Sequence, residues 1–93
     1  YSATKGAMVS LTKYLASYWG EKNIRVNTLT LGGIFDKKLH TNKGFVREYS
    51  KRTMLGRMSH VKDYDGAILF LSSDFSSYMT GANLIIDGGW TAW

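Results

Sequence analysis

The chain has 93 residues and a mass of 10.5 kDa, which is the size of one small domain. Apolar and aromatic residues make up 44% of the composition and cysteine is absent. The composition therefore excludes a disordered chain, a disulfide framework and a thiolate metal site. No apolar run is long enough to cross a membrane, so we expect no membrane partner, and the absence of cysteine leads us to expect a cytoplasmic protein.

The net charge of +5 is unevenly distributed, because all twelve Lys and Arg residues lie before residue 63. A basic region can attract the phosphates of a nucleic acid or of a nucleotide cofactor. These cations are spaced along the chain instead of clustering on one helix, and no aromatic RNA-binding motif accompanies them. We therefore predict no nucleic-acid partner, and a solvated basic surface is the simpler interpretation.

Residues 2–19 are predicted to form an amphipathic helix, because apolar side chains recur there at three- and four-residue steps. The apolar stripe comprises Ala7, Met8, Leu11, Tyr14, Leu15, Tyr18 and Trp19. Gly20 and Asn23 are stop signals, since both tolerate the left-handed conformation that ends helices. Residues 24–31 are predicted to form a strand. Its apolar and polar residues do not alternate cleanly, which is typical of a parallel strand covered on both faces.

The rest of the chain predicts two more helices and one more strand. A loop over 36–44 precedes a helix over 45–52, whose apolar stripe is Phe45, Val46 and Tyr49. A connector over 53–60 leads to a helix over 61–73. A turn at Thr80–Gly81 then precedes a strand over 83–87. Ser59 or His60 can cap the third helix. The order helix, strand, helix, helix, strand predicts an α/β fold whose two strands are parallel neighbours.

Tyr1 and Lys5 are the residues whose spacing indicates chemistry. Four residues apart at a helix start, they share one face of the helix. A free tyrosine titrates at about pH 10, and a lysine about 4 Å away favours its phenolate by electrostatic attraction. The pair can therefore supply a general acid or base, although Tyr and Lys also occur at this spacing by chance in many helices.

Several segments resemble motifs of the classical short-chain dehydrogenase/reductase family, in the same order along the chain. Tyr1–Lys5 resembles the family's Tyr-x-x-x-Lys active-site segment. The others are Ile24–Asn27, Leu55–Met58, Phe70–Asp74 with Thr80–Gly81, and Leu84–Gly89. Each motif is weak alone, but together they span essentially the whole chain in the correct order, which makes the resemblance highly specific.

The resemblance implies the C-terminal portion of a doubly wound, Rossmann-type parallel sheet. The glycine-rich pyrophosphate turn of that fold does not occur in residues 1–93, and neither do the family's catalytic serine and upstream asparagine. We therefore expect residues 1–93 to be the C-terminal fragment of a single Rossmann domain whose dinucleotide-binding half lies upstream.

The resemblance also implies an NAD(P)-dependent oxidoreductase that interconverts a carbonyl and an alcohol by hydride transfer. Tyr1 would be the general acid or base, while Lys5 would stabilise its phenolate and bind the nicotinamide ribose. Gly32 and Ile34 match positions at which the family's loop meets the cofactor, here NAD or NADP. Activity would require the full-length chain; the alternative is a non-catalytic fragment that only packs or oligomerises.

Three positions depart from the family pattern. Leu31 and Met54 stand where the family usually has proline, which removes some loop rigidity. Asp36 replaces a threonine near the pyrophosphate. Its charge would repel the phosphates unless the carboxylate points away or pairs with Lys37 or Lys38.

The segment over 36–52 corresponds to the family's substrate loop and is basic, which predicts an anionic small-molecule substrate; a solvated loop is the alternative. By the same resemblance, the C-terminal helix and strand would form a homo-oligomer interface. Trp90 and Trp93 would then be buried against a partner, or else packed within their own chain. His40 and His60 lack further ligands at metal spacing, so no metal is assigned.

Overall fold

The computed structural model describes residues 1–93, and its regular elements are three α-helices and two β-strands. They are α1 (Ser2–Trp19), β1 (Thr28–Leu31), α2 (Lys43–Lys51), α3 (Asp65–Ser72) and β2 (Asn83–Ile86), with short 3-10 turns at Gly20–Lys22, Val61–Tyr64 and Asp74–Ser76. The predicted order of elements is confirmed.

The two strands are neighbours in one two-stranded sheet. The Thr28 amide donates to the Ala82 carbonyl at 2.8 Å, and beyond the end of β1 the Gly32 amide donates to the Ile86 carbonyl at 2.9 Å. Because the partners advance in the same direction along both strands, the pairing is parallel. This agrees with the prediction from the long helical crossover.

The chain forms two compact units. The first contains Tyr1–Leu29 and Ala67–Leu84, and the second contains Thr30–Gly66 and Ile85–Trp93. Helix α1 belongs to the first unit and helix α2 to the second.

Helix α1 has the predicted bounds, but Gly20 does not stop the helical segment. The φ of −57° and ψ of −42° at Gly20 are right-handed helical, and Gly20 opens a 3-10 turn. Asn23 ends that turn with a left-handed φ of 58°, and its amide donates to the Gly20 carbonyl at 3.0 Å. Of the two predicted stop signals, only Asn23 takes the conformation that ends a helix.

The buried face of α1 is not the predicted apolar stripe. Thr12 and Ala16 are its buried residues, whereas Tyr14 and Tyr18 are largely exposed and stack on each other. Thr12 Oγ1 lies 2.7 Å from Thr28 Oγ1, so the small side chains let α1 approach β1 closely. The prediction is wrong for most of the stripe, of which only Leu15 and Trp19 are half-buried, because it ranked positions by hydrophobicity and not by side-chain size.

Strand β1 is shorter than predicted, since residues 24–27 lie outside it. The Asn27 Oδ1 accepts from the Ala82 amide at 3.1 Å. The Arg25 guanidinium donates at 2.9 to 3.2 Å to the carbonyl oxygens of Leu71, Ser73 and Met79. Side-chain hydrogen bonds therefore anchor much of this segment, which explains why its apolar residues alone did not indicate where the strand begins.

The other elements occur where predicted, with shifted ends. Helix α2 starts at Lys43, inside the predicted loop, because the Asn42 side chain caps it by accepting from the Phe45 amide at 3.2 Å. The predicted helix over 61–73 consists of a 3-10 turn followed by α3, and β2 ends one residue earlier than predicted.

Few side chains are fully buried. Ala16, Met58 and Tyr64 are the buried hydrophobic residues, while Leu31 is 43% and Ile85 49% exposed. The expected burial of both faces of the strands is therefore not observed, since the structure holds a sheet of only two strands. No helix combines the length and the apolar character needed to span a membrane.

Candidate functional site

The first turn of α1 carries the predicted catalytic pair. The Lys5 amide donates to the Tyr1 carbonyl at 3.0 Å, the helical hydrogen bond that places both side chains on one face. Lys5 Nζ lies 5.5 Å from the centroid of the Tyr1 ring, within the range of a cation–π contact. Tyr1 is 93% exposed, so residues 2–93 leave its ring largely uncovered.

Gly32 lies directly after β1, in the second unit. A Cβ at this position would stand 2.9 Å from the Cα and 3.2 Å from the carbonyl carbon of Asp87. Only glycine allows the chain after β1 to come this close to the chain after β2. Backbone packing therefore requires Gly32, independently of any cofactor contact.

Ile34 forms an isolated parallel bridge with Ser59. The Ser59 amide donates to the Gly33 carbonyl at 2.9 Å, and the Phe35 amide donates to the Ser59 carbonyl at 2.8 Å. Because the neighbours of Ile34 make these bonds, its own amide and carbonyl groups face the opposite side. No hydrogen bond within the chain uses them, so Ile34 can present a donor and an acceptor to a ligand.

Tyr49 contacts the same turn, although the sequence indicated only an apolar helix position. Its hydroxyl accepts from the Gly33 amide at 2.6 Å, and its ring stacks on Trp90 with centroids 4.4 Å apart. A Cβ at Gly33 would stand 2.5 Å from Tyr49 Cζ. The pair is separated by 16 residues, so no local spacing rule could have indicated it.

Tyr49 belongs to a continuous row of five rings, which we call the aromatic row. Its members, in order, are Phe35, His40, Phe45, Tyr49 and Trp90, with successive centroid distances of 5.9, 5.7, 6.1 and 4.4 Å. Trp90 therefore packs against its own chain. The indole N–H of Trp93 donates to the Arg52 carbonyl at 2.8 Å, so both tryptophans have contacts within the chain.

Asp36 is engaged within its own turn. Its Oδ1 accepts from the Lys38 amide at 2.7 Å, and its amide donates to His40 Nδ1 at 3.0 Å. No ion pair joins the carboxylate to the ammonium group of Lys37 or Lys38. The backbone therefore holds this carboxylate in an Asx-type turn, and of the two alternatives for Asp36, the ion pair with a lysine is not observed.

An ion pair joins Arg57 to Asp63 through two hydrogen bonds of 2.7 and 3.1 Å. Asp63 also accepts from the His60 amide at 2.7 Å. The Arg57 hydrogen bonds, followed by the one from His60, lower the pKa of Asp63 to about 2. The His60 ring nitrogen accepts from the Lys62 amide at 3.3 Å, so His60, and not Ser59, caps the 3-10 turn.

A cavity of about 200 Å³ lies beside Gly32 and Gly33 in the second unit. Polar side chains in its wall already have partners: Ser59 Oγ donates to the Gly33 carbonyl at 3.0 Å, and Asp87 accepts from the Thr91 hydroxyl at 2.7 Å. We assign no ligand to this cavity. No group of three or more His, Asp or Glu side chains in the chain is arranged to hold a metal ion.

Residues 1–91 match a protein family described as enoyl-(acyl carrier protein) reductase. The NADH-dependent L-xylulose reductase of Ambrosiozyma monospora is 38% identical over 98 residues, which cover all of this chain and 36% of that protein.

Solved structures of dehydrogenases are also similar to this chain in sequence and in backbone. A short-chain dehydrogenase from Leptospira borgpetersenii with bound NAD+ has 44% identity and a TM-score of 0.91, covering 98% of this chain and 35% of that one. A gluconate 5-dehydrogenase from Burkholderia cenocepacia in complex with NADP and tartrate has 34% identity and a TM-score of 0.92. The match covers 100% of this chain and 38% of that one.

Parallel strands joined by a helical crossover, and this agreement in backbone, define the α/β class of Rossmann-type dehydrogenases. Within that class the chain belongs to the classical short-chain dehydrogenase/reductase family. The predicted family and fold class, the C-terminal portion of a doubly wound parallel sheet, are thus confirmed. The chain spans about one third of the length of the curated relatives it matches.

We predict that the Arg57–Asp63 pair stabilises the fold only where Asp63 is ionised. The folded-state pKa of about 2 lies below the ordinary 3.8, so the contribution is complete above about pH 4 and is lost as the pH falls from about 4 to about 2. Denaturant unfolding of wild type and Asp63→Asn should differ by a constant amount down to about pH 4.

That difference should then shrink towards pH 2. Asp65→Asn, a nearby carboxylate outside the ion pair, is the matched control and should show no such trend. A gap between wild type and Asp63→Asn that persists unchanged to pH 2 would contradict the prediction.

Proposed function

We propose that the protein is an NAD(P)-dependent oxidoreductase that interconverts a carbonyl and an alcohol by hydride transfer. The observation that carries this proposal is the Tyr1–Lys5 pair in the first turn of α1, in a chain that belongs to the short-chain dehydrogenase/reductase family. The relatives support a nicotinamide cofactor in either form, since they use NADH or were solved with NAD+ or NADP.

When bound, a nicotinamide cofactor supplies or accepts the hydride. In the reductive direction the carbonyl carbon gains the hydride, while Tyr1 donates its hydroxyl proton to the carbonyl oxygen; oxidation reverses both transfers. Lys5, whose ammonium lies over the Tyr1 ring, stabilises the phenolate that remains. Tyr1 is open to solvent, from which it regains the proton.

The turn after β1 has groups that fit this cofactor. A nicotinamide carboxamide carries both an N–H donor and a carbonyl acceptor, and the free carbonyl and amide of Ile34 are complementary to them. We therefore propose Gly32 and Ile34 as cofactor contacts, with the Lys5 ammonium binding the ribose hydroxyls.

We propose that the activity requires a longer protein than residues 1–93. These residues contain no glycine-rich pyrophosphate turn and span about one third of the length of the relatives. A dinucleotide-binding half would supply that turn and complete a single Rossmann domain, of which residues 1–93 form the C-terminal portion. The isolated 93-residue chain would then be inactive.

We predict that Tyr1→Phe in the full-length protein lowers kcat by about 10²- to 10⁴-fold, because a phenyl ring has no proton to transfer. Lys5→Met should lower kcat and weaken cofactor binding together, since one side chain serves both purposes. Absorbance of the reduced nicotinamide measures turnover, and equilibrium titration measures cofactor affinity.

Tyr14→Phe is the matched control, because Tyr14 is another exposed tyrosine of α1; turnover should be unchanged. Turnover close to wild type by Tyr1→Phe would sink the assignment of Tyr1. Turnover by the isolated 93-residue chain would contradict the proposal that activity requires a longer protein. A full-length protein without any turnover would favour the alternative role, in packing or oligomerisation only.

We further propose that the substrate is a small anionic carbonyl or alcohol. Lys37 and Lys38 are exposed, and neither they nor the nearby Lys43 and Arg47 form an ion pair. The segment therefore carries positive charge that the chain does not neutralise. The relative from Burkholderia cenocepacia, solved with tartrate, supports an anion.

We predict that replacing Lys37 and Lys38 together by Ala raises the substrate KM by about tenfold, because each exposed cation contributes up to about 1 kcal/mol to attraction of an anion. The Kd of the cofactor should be unchanged. Replacing Lys13 and Lys22, which lie outside the segment, is the matched control. A KM equal to that of wild type would count against an anionic substrate.

We propose that the full-length protein forms a homo-oligomer through α3 and β2. On α3, the contiguous residues Ile68, Leu69 and Phe70 are 52%, 70% and 40% exposed, and exposed apolar patches commonly mark protein interfaces. Analytical ultracentrifugation should therefore give a multiple of the protomer mass, and Leu69→Glu should lower it. A wild-type protein that sediments as a monomer would overturn this proposal.

A further inference from the structure

The residues Gly32–Ile34 form a turn, here called the glycine turn, that backbone packing against Asp87 holds at Gly32 and hydrogen bonds hold at Gly33. Gly32 and Gly33 carry no side chain, and both border the cavity of about 200 Å³. The Gly33 carbonyl accepts from the Ser59 amide and hydroxyl. The Gly33 amide donates to the Tyr49 hydroxyl at 2.6 Å.

The Tyr49 side chain is itself held in a defined orientation. Its ring stacks on Trp90 at 4.4 Å with an angle of 19° between the planes, and Phe45 lies against it at 6.1 Å. Two aromatic neighbours restrict the ring to one direction. Its hydroxyl is therefore a fixed acceptor for the Gly33 amide, and not a mobile surface group.

Gly33 and Tyr49 are also matched in shape. A Cβ at Gly33 would stand 2.5 Å from Tyr49 Cζ and 2.6 Å from its hydroxyl oxygen, distances at which one of the two groups must move. Because the aromatic row holds the ring, the displaced group would be the glycine turn. The missing side chain at position 33 thus makes the short hydrogen bond possible.

We propose that Tyr49 is a positioning residue. Its hydroxyl fixes the glycine turn so that Ile34 presents its amide and carbonyl groups to the nicotinamide in one orientation. Because Gly33 has no side chain, the Tyr49 phenol can approach its backbone closely enough to form this bond. The inference rests on the proposed function, because it takes Ile34 as a cofactor contact. Tyr49 lies on α2, so the helix of the basic segment is tied to the cofactor contact by one hydrogen bond.

The test uses the full-length protein and Tyr49→Phe, which keeps the ring and its stacking but removes the acceptor. We expect the Kd of the nicotinamide cofactor, measured without substrate, to rise by about three- to tenfold. Hydrogen exchange at the Gly33 amide should become faster. Tyr78→Phe is the matched control, since Tyr78 is fully exposed, and should change neither quantity.

A second pair of variants tests the match in shape. Gly33→Ala should weaken cofactor binding in the wild-type background, where the added Cβ meets the ring. In a Tyr49→Leu background the ring is gone, so the same substitution should cost at least about threefold less in cofactor affinity. Equal costs in both backgrounds would overturn the proposed match.

The outcomes separate this inference from the proposed function. An unchanged cofactor Kd in Tyr49→Phe, with a wild-type protein that binds the cofactor, overturns the positioning role and leaves the assignment of Tyr1 intact. A lower melting temperature without a change in Kd shows a purely structural role and also overturns it. A wild-type protein that binds no nicotinamide cofactor overturns the proposed function and this inference together.

Discussion

The close approach of Gly32 to the backbone of Asp87 is the constraint on which the second unit depends. It occurs where the parallel strands end, and it leaves no room for a Cβ at Gly32. Beyond this contact the chain turns through Gly88 and Gly89, whose φ values are 64° and 85° and therefore favour glycine. The Gly88 carbonyl then accepts from the Leu55 amide at 3.1 Å, which joins this turn to the connector before α3.

In the first unit, side-chain hydrogen bonds to the backbone hold together segments that lie outside regular helices and strands. The Arg25 guanidinium donates to three carbonyl oxygens near the end of α3 and beyond it, those of Leu71, Ser73 and Met79. The Thr12 hydroxyl joins α1 to Thr28 of β1, and the small Ala16 side chain lies close to the turn at Gly81. Polar anchoring and close contact, more than a large apolar core, organise this unit.

The proposed chemistry uses groups that the fold leaves open. Tyr1 and Lys5 share the first turn of α1 and are exposed. The bridge to Ser59 uses the Gly33 carbonyl and the Phe35 amide, and it leaves the amide and carbonyl groups of Ile34 available. The proposed reaction and cofactor binding would thus use the first turn of α1 and the backbone groups of one residue, Ile34. The surrounding contacts, from Ser59 and Tyr49, stabilise the positions of these groups and take no part in proton or hydride transfer.

By itself the sequence determined the order of elements, the bounds of α1 and membership of the family, because helical periodicity and motif spacing are properties of neighbouring residues. The tertiary structure alone decided which face of α1 is buried, where β1 begins and that Tyr49 binds Gly33. Those features depend on side-chain size and on partners 16 to 55 residues apart. Residues so far apart in the sequence come into contact only through the tertiary fold, so no local spacing rule can predict them.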